Sequence, residues 1–311
     1  DTSMSPSRPQ SPPLIIPPRL RPGDLIGVIS PAGPVDASGL KPGLDLLASR
    51  GFRVREAAHL YDRNDYLAGH DEARLSDLHA MVLDSEIAAV FCARGGYGSL
   101  RLLDRIDFDL IRQHPKIIVG YSDITALLMA VYKKSGLVTF HGPMVQGLST
   151  VSGDSLEGLL RILSSEEPLS FDPMEGNPLL TGSAEGPLLG GNLSLLCHLA
   201  GTPFLPSLEG AILFIEDRGE PLYRIDRMLT HLSLAGQLKG IAGLIGGEFL
   251  DCGDTSAIDR LLMEMASGLN VPLVTGFPAG HGQNNLTLPL GMPANLDTRR
   301  MTLSTAAACV R

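Results

Sequence analysis

The stretch KIIVGYSDITALLMAVYKKSG, residues 116–136, decides the fold because an apolar strand pattern runs directly into an amphipathic helix pattern. A strand that enters a helix through a short turn is the repeating unit of a parallel sheet. Here the turn consists of Gly120, Tyr121 and Ser122. Because ligands bind beyond the carboxyl ends of the strands in such sheets, this turn is the first candidate for a functional site.

The region from about Leu20 to Met144 repeats this alternation of strand and helix patterns. Its amphipathic stretches carry apolar residues three to four positions apart, as helices that cover a sheet do. The sequence therefore predicts an α/β fold with a doubly wound parallel sheet. The apolar runs that we interpret as strands are DLIGVISPAG, FRVREAA, IAAVFCARGG, KIIVGYS and LVTFHGP.

The alternation stops near Gln146, which indicates a domain boundary. Residues 149–184 collect Ser, Pro, Gly and Glu around one short helical stretch, a composition typical of a linker. Residues 185–311 contain short apolar runs bounded by Gly and Pro, which predicts a strand-rich second domain. The Pro-rich residues 1–19 are expected to be a disordered tail, so the first domain spans residues 20–148.

Composition argues against several kinds of partner. The chain has 311 residues, 44% of them apolar, with a formal charge of -9 and no cluster of Lys and Arg, so no nucleic-acid partner is expected. The apolar run at residues 14–16 is too short for a signal peptide or a membrane span. The cysteines lack metal-ligand spacing, and we expect a cytoplasmic protein with no metal, no cofactor and no membrane contact. These cysteines are Cys92, Cys197, Cys252 and Cys309.

Ser122 is the candidate nucleophile because it occupies the corner between strand and helix. A Ser at such a corner is lifted into solvent in the nucleophile elbow of hydrolases, and the G-x-S half of that motif is present. Ile124 stands where the motif has a second Gly, so this elbow would need a different local geometry. The alternative is that Ser122 or Asp123 only caps the following helix.

A second corner, AVFCARGGYGSL at residues 89–100, is rich in glycine and also follows a strand pattern. Because glycine has no side chain, the backbone N–H groups of Gly95 and Gly96 are uncovered. They could hold a phosphate or the oxyanion of a tetrahedral intermediate. The stretch has neither G-x-G-x-x-G order nor a Walker lysine, so a nucleotide is the weaker interpretation. A glycine turn required by close packing remains an equal alternative.

A hydroxyl needs a base to become a good nucleophile, and His is the usual base near neutral pH. His281 is flanked by Gly280 and Gly282 in an exposed loop, which would let it approach a substrate closely. His141, at the end of the fifth strand pattern, borders the expected cleft, with a structural hydrogen-bonding role as the alternative. The remaining histidines fall in helical or surface contexts: His59, His70, His79, His114, His198 and His231.

A third group must orient and stabilise the imidazolium, and a carboxylate at the end of a rigid element suits that role. GAILFIEDRGEP offers Glu216, Asp217 and Glu220. Glu216 closes the strand pattern itself and is therefore the best anchored of the three. The alternative is a solvated carboxylate near the start of the next helix, and spacing alone does not choose among these acids.

Seven motifs lie between about Leu20 and the carboxyl end: ISPAGP, CARGGYGS, GYSDITAL, FHGPM, GPLLGGNLSLL, LFIEDRGEPLYRIDRML and GFPAGHGQNN. Taken together, they resemble those of the LD-carboxypeptidase family, the murein tetrapeptide carboxypeptidases. The resemblance implies a triad of Ser122 as nucleophile, Glu216 as orienting acid and His281 as base. It also implies an oxyanion hole of backbone N–H groups, which we assign to Asp123 and to Gly95 or Gly96.

The same resemblance implies a flavodoxin-like first domain, a β-rich, barrel-like second domain carrying the acid and the base, and a homodimer. The implied reaction removes the terminal D-alanine of a muropeptide tetrapeptide by cutting an L,D-peptide bond in the cytoplasm during cell-wall recycling. An exopeptidase must bind the terminal carboxylate of its substrate, and Arg94 is our candidate for that contact.

Two alternatives remain open from the sequence. A microcin-immunity-type enzyme of the same family would use the same triad to hydrolyse a peptidyl or aminoacyl nucleotide. The chain has no Trp to stack on a base, which favours the muropeptide. A non-catalytic module would instead bind a nucleotide with its RGGYG and LLGGN loops.

Overall fold

The first half of the chain alternates strands and short helices in the computed structural model, which describes residues 12–311. Short 3₁₀ turns follow three of the strands, at Ser99–Leu102, Ser122–Ile124 and Val145–Gly147. The elements of this half are β1 (Leu25–Ile29), α1 (Ala37–Ser49), β2 (Arg53–Glu56), α2 (Asp71–Leu83), β3 (Ile87–Cys92), α3 (Phe108–Gln113), β4 (Ile117–Gly120), α4 (Thr125–Ser135) and β5 (Thr139–His141).

These five strands form a parallel sheet in the order β5-β4-β3-β1-β2. That order is the flavodoxin-like one, so the predicted α/β fold with a doubly wound sheet is confirmed. Strands buried on both faces read as continuous apolar runs, which explains why the pattern was visible in the sequence. The helix α4 is buried along most of its length and ends at Gly136, which has a φ of 76°.

The second half of the chain builds a larger mixed sheet of eight strands. Its elements are α5 (Gly153–Ser164), β6 (Pro168–Phe171), β7 (Asn177–Leu180), β8 (Ser183–Asn192), α6 (Leu193–Leu199), β9 (Ile212–Arg218), α7 (Leu222–Leu234), β10 (Gly243–Leu250), α8 (Thr255–Leu269), β11 (Leu273–Thr275), β12 (Leu288–Leu290), β13 (Pro293–Asp297) and β14 (Thr302–Ala308). The strand order is β6-β14-β13-β8-β9-β10-β11-β7, with β8 to β11 parallel and the outer strands antiparallel.

The structure differs from the predicted division of the chain in two places. Residues 149–184, predicted as a linker, contain α5 and the strands β6 and β7, which form the two edges of the second sheet. In addition, β12 leaves the second half and pairs antiparallel with β5, so that Leu288 lies opposite His141. The second half of the chain therefore completes the sheet of the first half.

Residues 12–19 are ordered by backbone hydrogen bonds, contrary to the predicted disordered tail; residues 1–11 of that tail lie outside the described part of the chain. The Ile15 N–H donates to Gly136 O at 2.8 Å, and Val138 N donates back to Ile15 O at 2.9 Å. Further on, Arg19 N donates to Arg311 O at 2.8 Å. The extended conformation that Pro favours thus places this segment against the chain before β5 and against the carboxyl end.

The helix α1 packs closely on Val145, near the candidate site. Substitutions at two glycines of α1 test this contact. A Cβ added to Gly43 would lie 1.9 Å from Val145 O, whereas one added to the exposed Gly39 would lie 3.8 Å from its nearest atom. We predict that Gly43→Ala lowers the free energy of unfolding by about 1–3 kcal/mol because the backbone must move apart. Gly39→Ala is the matched control, and it should raise stability by up to about 1 kcal/mol through helix propensity.

The measurement is chemical denaturation followed by far-ultraviolet circular dichroism, with midpoints compared among the wild type and the two variants. Equal midpoints for Gly43→Ala and the wild type would contradict the close contact between α1 and Val145.

Candidate active site

Ser122 sits at the turn between β4 and α4 in a left-handed conformation, with a φ of 62°. A non-glycine residue in this region is strained, as the nucleophile of a strand-to-helix elbow is. The missing second Gly is explained by Gly120, because a Cβ there would lie 2.5 Å from Ile124 Cγ2. Glycine two positions before the serine makes room for the isoleucine two positions after it.

Neither Ser122 nor Asp123 caps the following helix, which answers the alternative left open by the sequence. The residue at the start of α4 is Ile124, and no side chain accepts a hydrogen bond there. The Asp123 carboxylate instead accepts a hydrogen bond from Ser99 N at 2.9 Å.

Three side chains from distant parts of the chain form one hydrogen-bonded series in the structure. Ser122 Oγ lies 3.0 Å from His281 Nε2, and His281 Nδ1 lies 2.7 Å from Glu216 Oε2. Ser122 follows β4 of the first sheet, Glu216 lies in β9 of the second, and His281 lies in the loop between β11 and β12. Hydroxyl, imidazole and carboxylate are therefore in the order that general-base activation of a nucleophile requires.

The carboxylate of this series is fully buried, since Glu216 has 0% exposure. Burial raises the pKa of the Glu216 carboxyl, and the hydrogen bond with His281 opposes that shift. The other carboxylate oxygen accepts a hydrogen bond from Asn192 Nδ2 at 3.3 Å. Asn192 thus orients Glu216 from the side opposite to His281. A carboxylate held in this way favours the imidazole tautomer whose Nε2 is free to accept the Ser122 proton.

Of the acids that the sequence offered, only Glu216 contacts His281. Asp217 accepts hydrogen bonds from Ser194 N at 2.9 Å and from Ser194 Oγ at 2.7 Å, and so holds the start of α6. Glu220 Oε2 lies 3.6 Å from Arg224 Nη1, and Glu220 lines the cavity that opens onto Ser122. Asp217 also accepts a hydrogen bond from Asn192 Nδ2, at 3.1 Å, so the Asn192 amide contacts both carboxylates.

The glycine-rich corner lies directly against the serine. A Cβ added to Gly95 would be 3.0 Å from Ser122 Cβ and 3.1 Å from Ser122 Oγ, so a larger residue would crowd the nucleophile. Within residues 12–311, the N–H groups of Gly95 and Gly96 have no hydrogen-bond acceptor. They are free to donate to a ligand atom placed beside Ser122. The N–H of Asp123, the residue after the serine, belongs to the same corner.

Two residues, Ser99 and Arg74, fix this corner relative to the serine turn through four hydrogen bonds. Ser99 donates to Asp123 twice, from its N–H to the carboxylate at 2.9 Å and from its hydroxyl to Asp123 O at 2.6 Å. Arg74, 1% exposed, donates to Gly98 O at 2.9 Å and to Pro31 O at 2.5 Å. A single rigid unit therefore carries the serine and the glycine N–H groups. The sequence analysis missed Ser99, Arg74 and Asn192 because their roles depend on contacts across the fold.

A cavity of about 520 Å³ opens onto Ser122 and His281. Arg94 and Arg218 give it two guanidinium groups, and Asp217 and Glu220 give it two carboxylates. The Arg94 side chain is held by a hydrogen bond from Nη1 to Pro34 O at 3.0 Å. The cavity therefore combines a candidate nucleophile, free N–H donors and charged groups of both signs.

The sequence had suggested that His141 borders the cleft. In the structure it does not line this cavity and is fully buried beside it. Its ring makes edge-to-face contacts with Tyr121 and Phe214, at centroid distances of 5.8 and 5.0 Å. Burial lowers the pKa of His141 to about 3, so the ring is neutral near pH 7. No hydrogen-bond partner for it is found in the described part of the chain.

In the region from residue 12 onward, no group of three or more His, Cys, Asp or Glu side chains is arranged to hold a metal ion. No helix there has the length and apolar character needed to span a membrane.

Comparison with known proteins gives matches along nearly the whole chain. The LD-carboxypeptidase N-terminal domain matches residues 26–142, and the LD-carboxypeptidase C-terminal domain matches residues 185–296. The probable murein peptide carboxypeptidase of Bacillus subtilis (strain 168) is 40% identical over 92% of this chain and 92% of its own length. The microcin C7 self-immunity protein MccF of Escherichia coli is 30% identical over 95% of this chain and 96% of its own length.

The crystal structure of muramoyltetrapeptide carboxypeptidase from Oxalobacter formigenes superimposes with a TM-score of 0.80 at 33% identity, covering 90% of this chain and 97% of that one. The two domain models match in the expected order, and both relatives align over 92% or more of this chain. A solved structure also shares the fold. The chain belongs to the LD-carboxypeptidase family.

Proposed function

We propose that this member of a peptidase family is a serine carboxypeptidase that releases the terminal D-alanine of muropeptide tetrapeptides by hydrolysing an L,D-peptide bond. The observation that carries the proposal is the hydrogen-bonded series of Ser122, His281 and Glu216. Ser122 and His281 line a cavity that also contains free N–H donors. The relative of this chain named as a murein peptide carboxypeptidase supports the choice of substrate. We also propose, from the family resemblance, that the enzyme is a cytoplasmic homodimer.

In the proposed mechanism, His281 Nε2 takes the proton of Ser122 as Oγ attacks the carbonyl carbon. Glu216 stabilises the imidazolium that forms. The N–H groups of Asp123 and of Gly95 or Gly96 donate to the oxyanion of the tetrahedral intermediate. When that intermediate collapses, His281 gives the proton to the amine of D-alanine, which leaves. Water activated by the same histidine then attacks the acyl-enzyme, and Ser122 regains its proton.

The cationic part of the cavity supports a role in binding the end of the peptide. Arg94 lies next to Gly95 in the chain and lines the same cavity as Ser122. A guanidinium there pairs well with the carboxylate of a terminal residue. This contact would restrict the enzyme to the last peptide bond, because an internal residue has no carboxylate to offer.

The relationship to MccF makes a peptidyl or aminoacyl nucleotide the alternative substrate, since the same catalytic residues would serve. The absence of Trp from the chain removes the best stacking partner for a base. We predict that kcat/KM for release of D-alanine from an L,D-tetrapeptide exceeds that for cleavage of an aminoacyl-adenylate analogue by at least about 100-fold. Product release is followed by chromatography for both substrates. Faster cleavage of the nucleotide would replace the proposed function with the alternative.

The triad assignment predicts the effect of removing its members. Ser122→Ala and His281→Ala should each lower kcat by about 10⁴-fold or more, and the double variant should be no slower than either, because the residues act as a unit. Glu216 is buried, so Glu216→Gln is preferable to alanine; it should lower kcat by about 10⁴-fold through the wrong imidazole tautomer.

Steady-state kinetics on the tetrapeptide measure these losses, and His231→Ala, which changes an exposed histidine on α7, is the control with unchanged kcat. Circular dichroism spectra verify that each variant is folded. Losses that multiply in the double variant would rule out a shared catalytic role for Ser122 and His281.

The assignment of Arg94 predicts a loss that depends on the charge of the substrate. Arg94→Ala should lower kcat/KM for the tetrapeptide by roughly 10- to 100-fold, because a hydrogen bond to a charged group is lost. The same peptide with a terminal carboxamide should already be a poor substrate of the wild type and should lose little more. Arg300→Ala, at an exposed position outside the cavity, is the control. Equal losses of kcat/KM on both peptides would show that Arg94 does not bind the terminal carboxylate.

A further inference from the structure

The glycine corner and the serine turn follow two neighbouring strands, but main-chain hydrogen bonds do not join them beyond the strand ends. The paired residues of β3 and β4 end at Phe91 and Val119. Across the part of the chain that the structure describes, no hydrogen bond between main-chain atoms connects residues 93–100 with residues 121–124. The relative position of these two loops therefore depends on side-chain contacts.

The side chain of Asp123 supplies the contact. Asp123 is 2% exposed, and its carboxylate accepts a hydrogen bond from Ser99 N at 2.9 Å. Burial raises the pKa of the Asp123 carboxyl, and hydrogen bonds from Ser99 and from the main chain of Gly98 oppose that shift. A buried anion is costly unless donors surround it, and charge-assisted hydrogen bonds are stronger than neutral ones. The carboxylate thus holds two consecutive N–H groups of the glycine corner.

The peptide group between Gly98 and Ser99 is held at both of its polar atoms. Its N–H donates to Asp123 Oδ2 at 2.9 Å, and its carbonyl oxygen accepts a hydrogen bond from Arg74 Nη1, also at 2.9 Å. The Arg74 guanidinium is itself paired with Asp71. Because an anion and a cation act on opposite ends of one peptide dipole, they fix the orientation of this peptide plane and strengthen each other's hydrogen bonds.

The main chain of Asp123 lies beside the nucleophile. A Cβ added to Gly95 would be 3.1 Å from Ser122 Oγ and 3.6 Å from Asp123 N, so Gly95 and the Asp123 N–H lie close together next to the serine. Groups that stabilise a transition state must be held accurately, since a misplacement of about 1 Å can cost roughly 100-fold in rate. The position of the loop that carries Gly95 therefore matters for catalysis as well as for the fold.

We propose that the Asp123 side chain is a positioning group for the oxyanion hole and that it acts together with Arg74. The N–H of Asp123 supplies one donor, and its carboxylate fixes the loop that supplies the donors of Gly95 and Gly96. The inference rests on the proposed function, in which these N–H groups stabilise the tetrahedral intermediate. The carboxylate acts through the loop and not on the substrate.

Asp123→Asn tests the proposal because an amide has one acceptor oxygen and would turn an NH2 donor towards one of the two N–H groups. We expect kcat and kcat/KM on the tetrapeptide to fall equally, by about 10- to 100-fold, because the oxyanion donors act only in the transition state. The rate constant for phosphonylation of Ser122 by a fluorophosphonate, followed by mass spectrometry, should fall similarly. The dissociation constant of the tetrapeptide from Ser122→Ala, measured by calorimetry, should be the same with and without Asp123→Asn.

Asp107→Asn is the matched control. The Asp107 carboxylate also accepts a hydrogen bond from a main-chain N–H, that of Leu110 at 2.8 Å, but it does not line the cavity that opens onto Ser122. Its kcat and phosphonylation rate constant should be those of the wild type. Gly98→Ala disturbs the same peptide group from the other side, since its Cβ would lie 2.7 Å from Arg74 Nη1. It should slow phosphonylation without weakening peptide binding, and it decides the question if Asp123→Asn does not fold.

A folded Asp123→Asn variant with the phosphonylation rate constant of the wild type would overturn the proposal. A slower reaction accompanied by equally weaker peptide binding would also overturn it, because the site would then be disrupted in general. The reagent contains no peptide, so a wild type that is phosphonylated but releases no D-alanine would reject the proposed substrate while the comparison of rate constants still decides the role of Asp123. A wild type that is not phosphonylated would reject Ser122 as the nucleophile and this inference with it.

Discussion

The hydrogen bond between His281 and the buried carboxylate of Glu216 is the interaction on which the rest of the site depends. An ionised carboxylate without exposure is costly unless it is paired, and His281 at 2.7 Å and Asn192 at 3.3 Å provide the pairing. Glu216 belongs to the second sheet, whereas His281 lies in the chain that leads to β12 of the first sheet. One bond therefore orients the imidazole and also connects the two sheets.

The strained serine turn is stable because neighbouring contacts over-determine its conformation. A left-handed serine costs of order 1–3 kcal/mol by itself. The double contact between Ser99 and Asp123 offsets that cost and holds the glycine corner against the serine. Gly95 and Gly120 leave the space that this arrangement needs. The close packing around Ser122 thus stabilises its strained conformation and keeps the site preorganised.

The sequence predicted the first sheet well because its buried parallel strands read as continuous apolar runs. It also selected Ser122, His281 and Glu216, which the structure brings into contact, although the choice of Glu216 over Asp217 depended on the family resemblance. The sequence did not predict that β12 pairs with β5, because a strand pattern does not reveal its partner and β5 lies far away in the chain. The strands of residues 149–184 were missed because short edge strands that contain Pro resemble a linker until their partners are known.

His281 lies between two cavities whose charged residues differ, and in the proposed mechanism this position links catalysis to the direction in which a peptide binds. The imidazole must return its proton to the leaving amine, so the leaving residue has to occupy one definite side of it. The first cavity, which opens onto Ser122, is lined by both guanidinium groups and carboxylates. The second, which contains Glu248, is lined among the described residues by carboxylates without Lys or Arg, so the two directions of binding would be unequal in energy. A reversed peptide would place its terminal carboxylate against Glu248 and leave Arg94 without a partner. Under the proposed function, charge placement around a single histidine would therefore select the bond that Ser122 attacks, without any contact to the scissile bond itself.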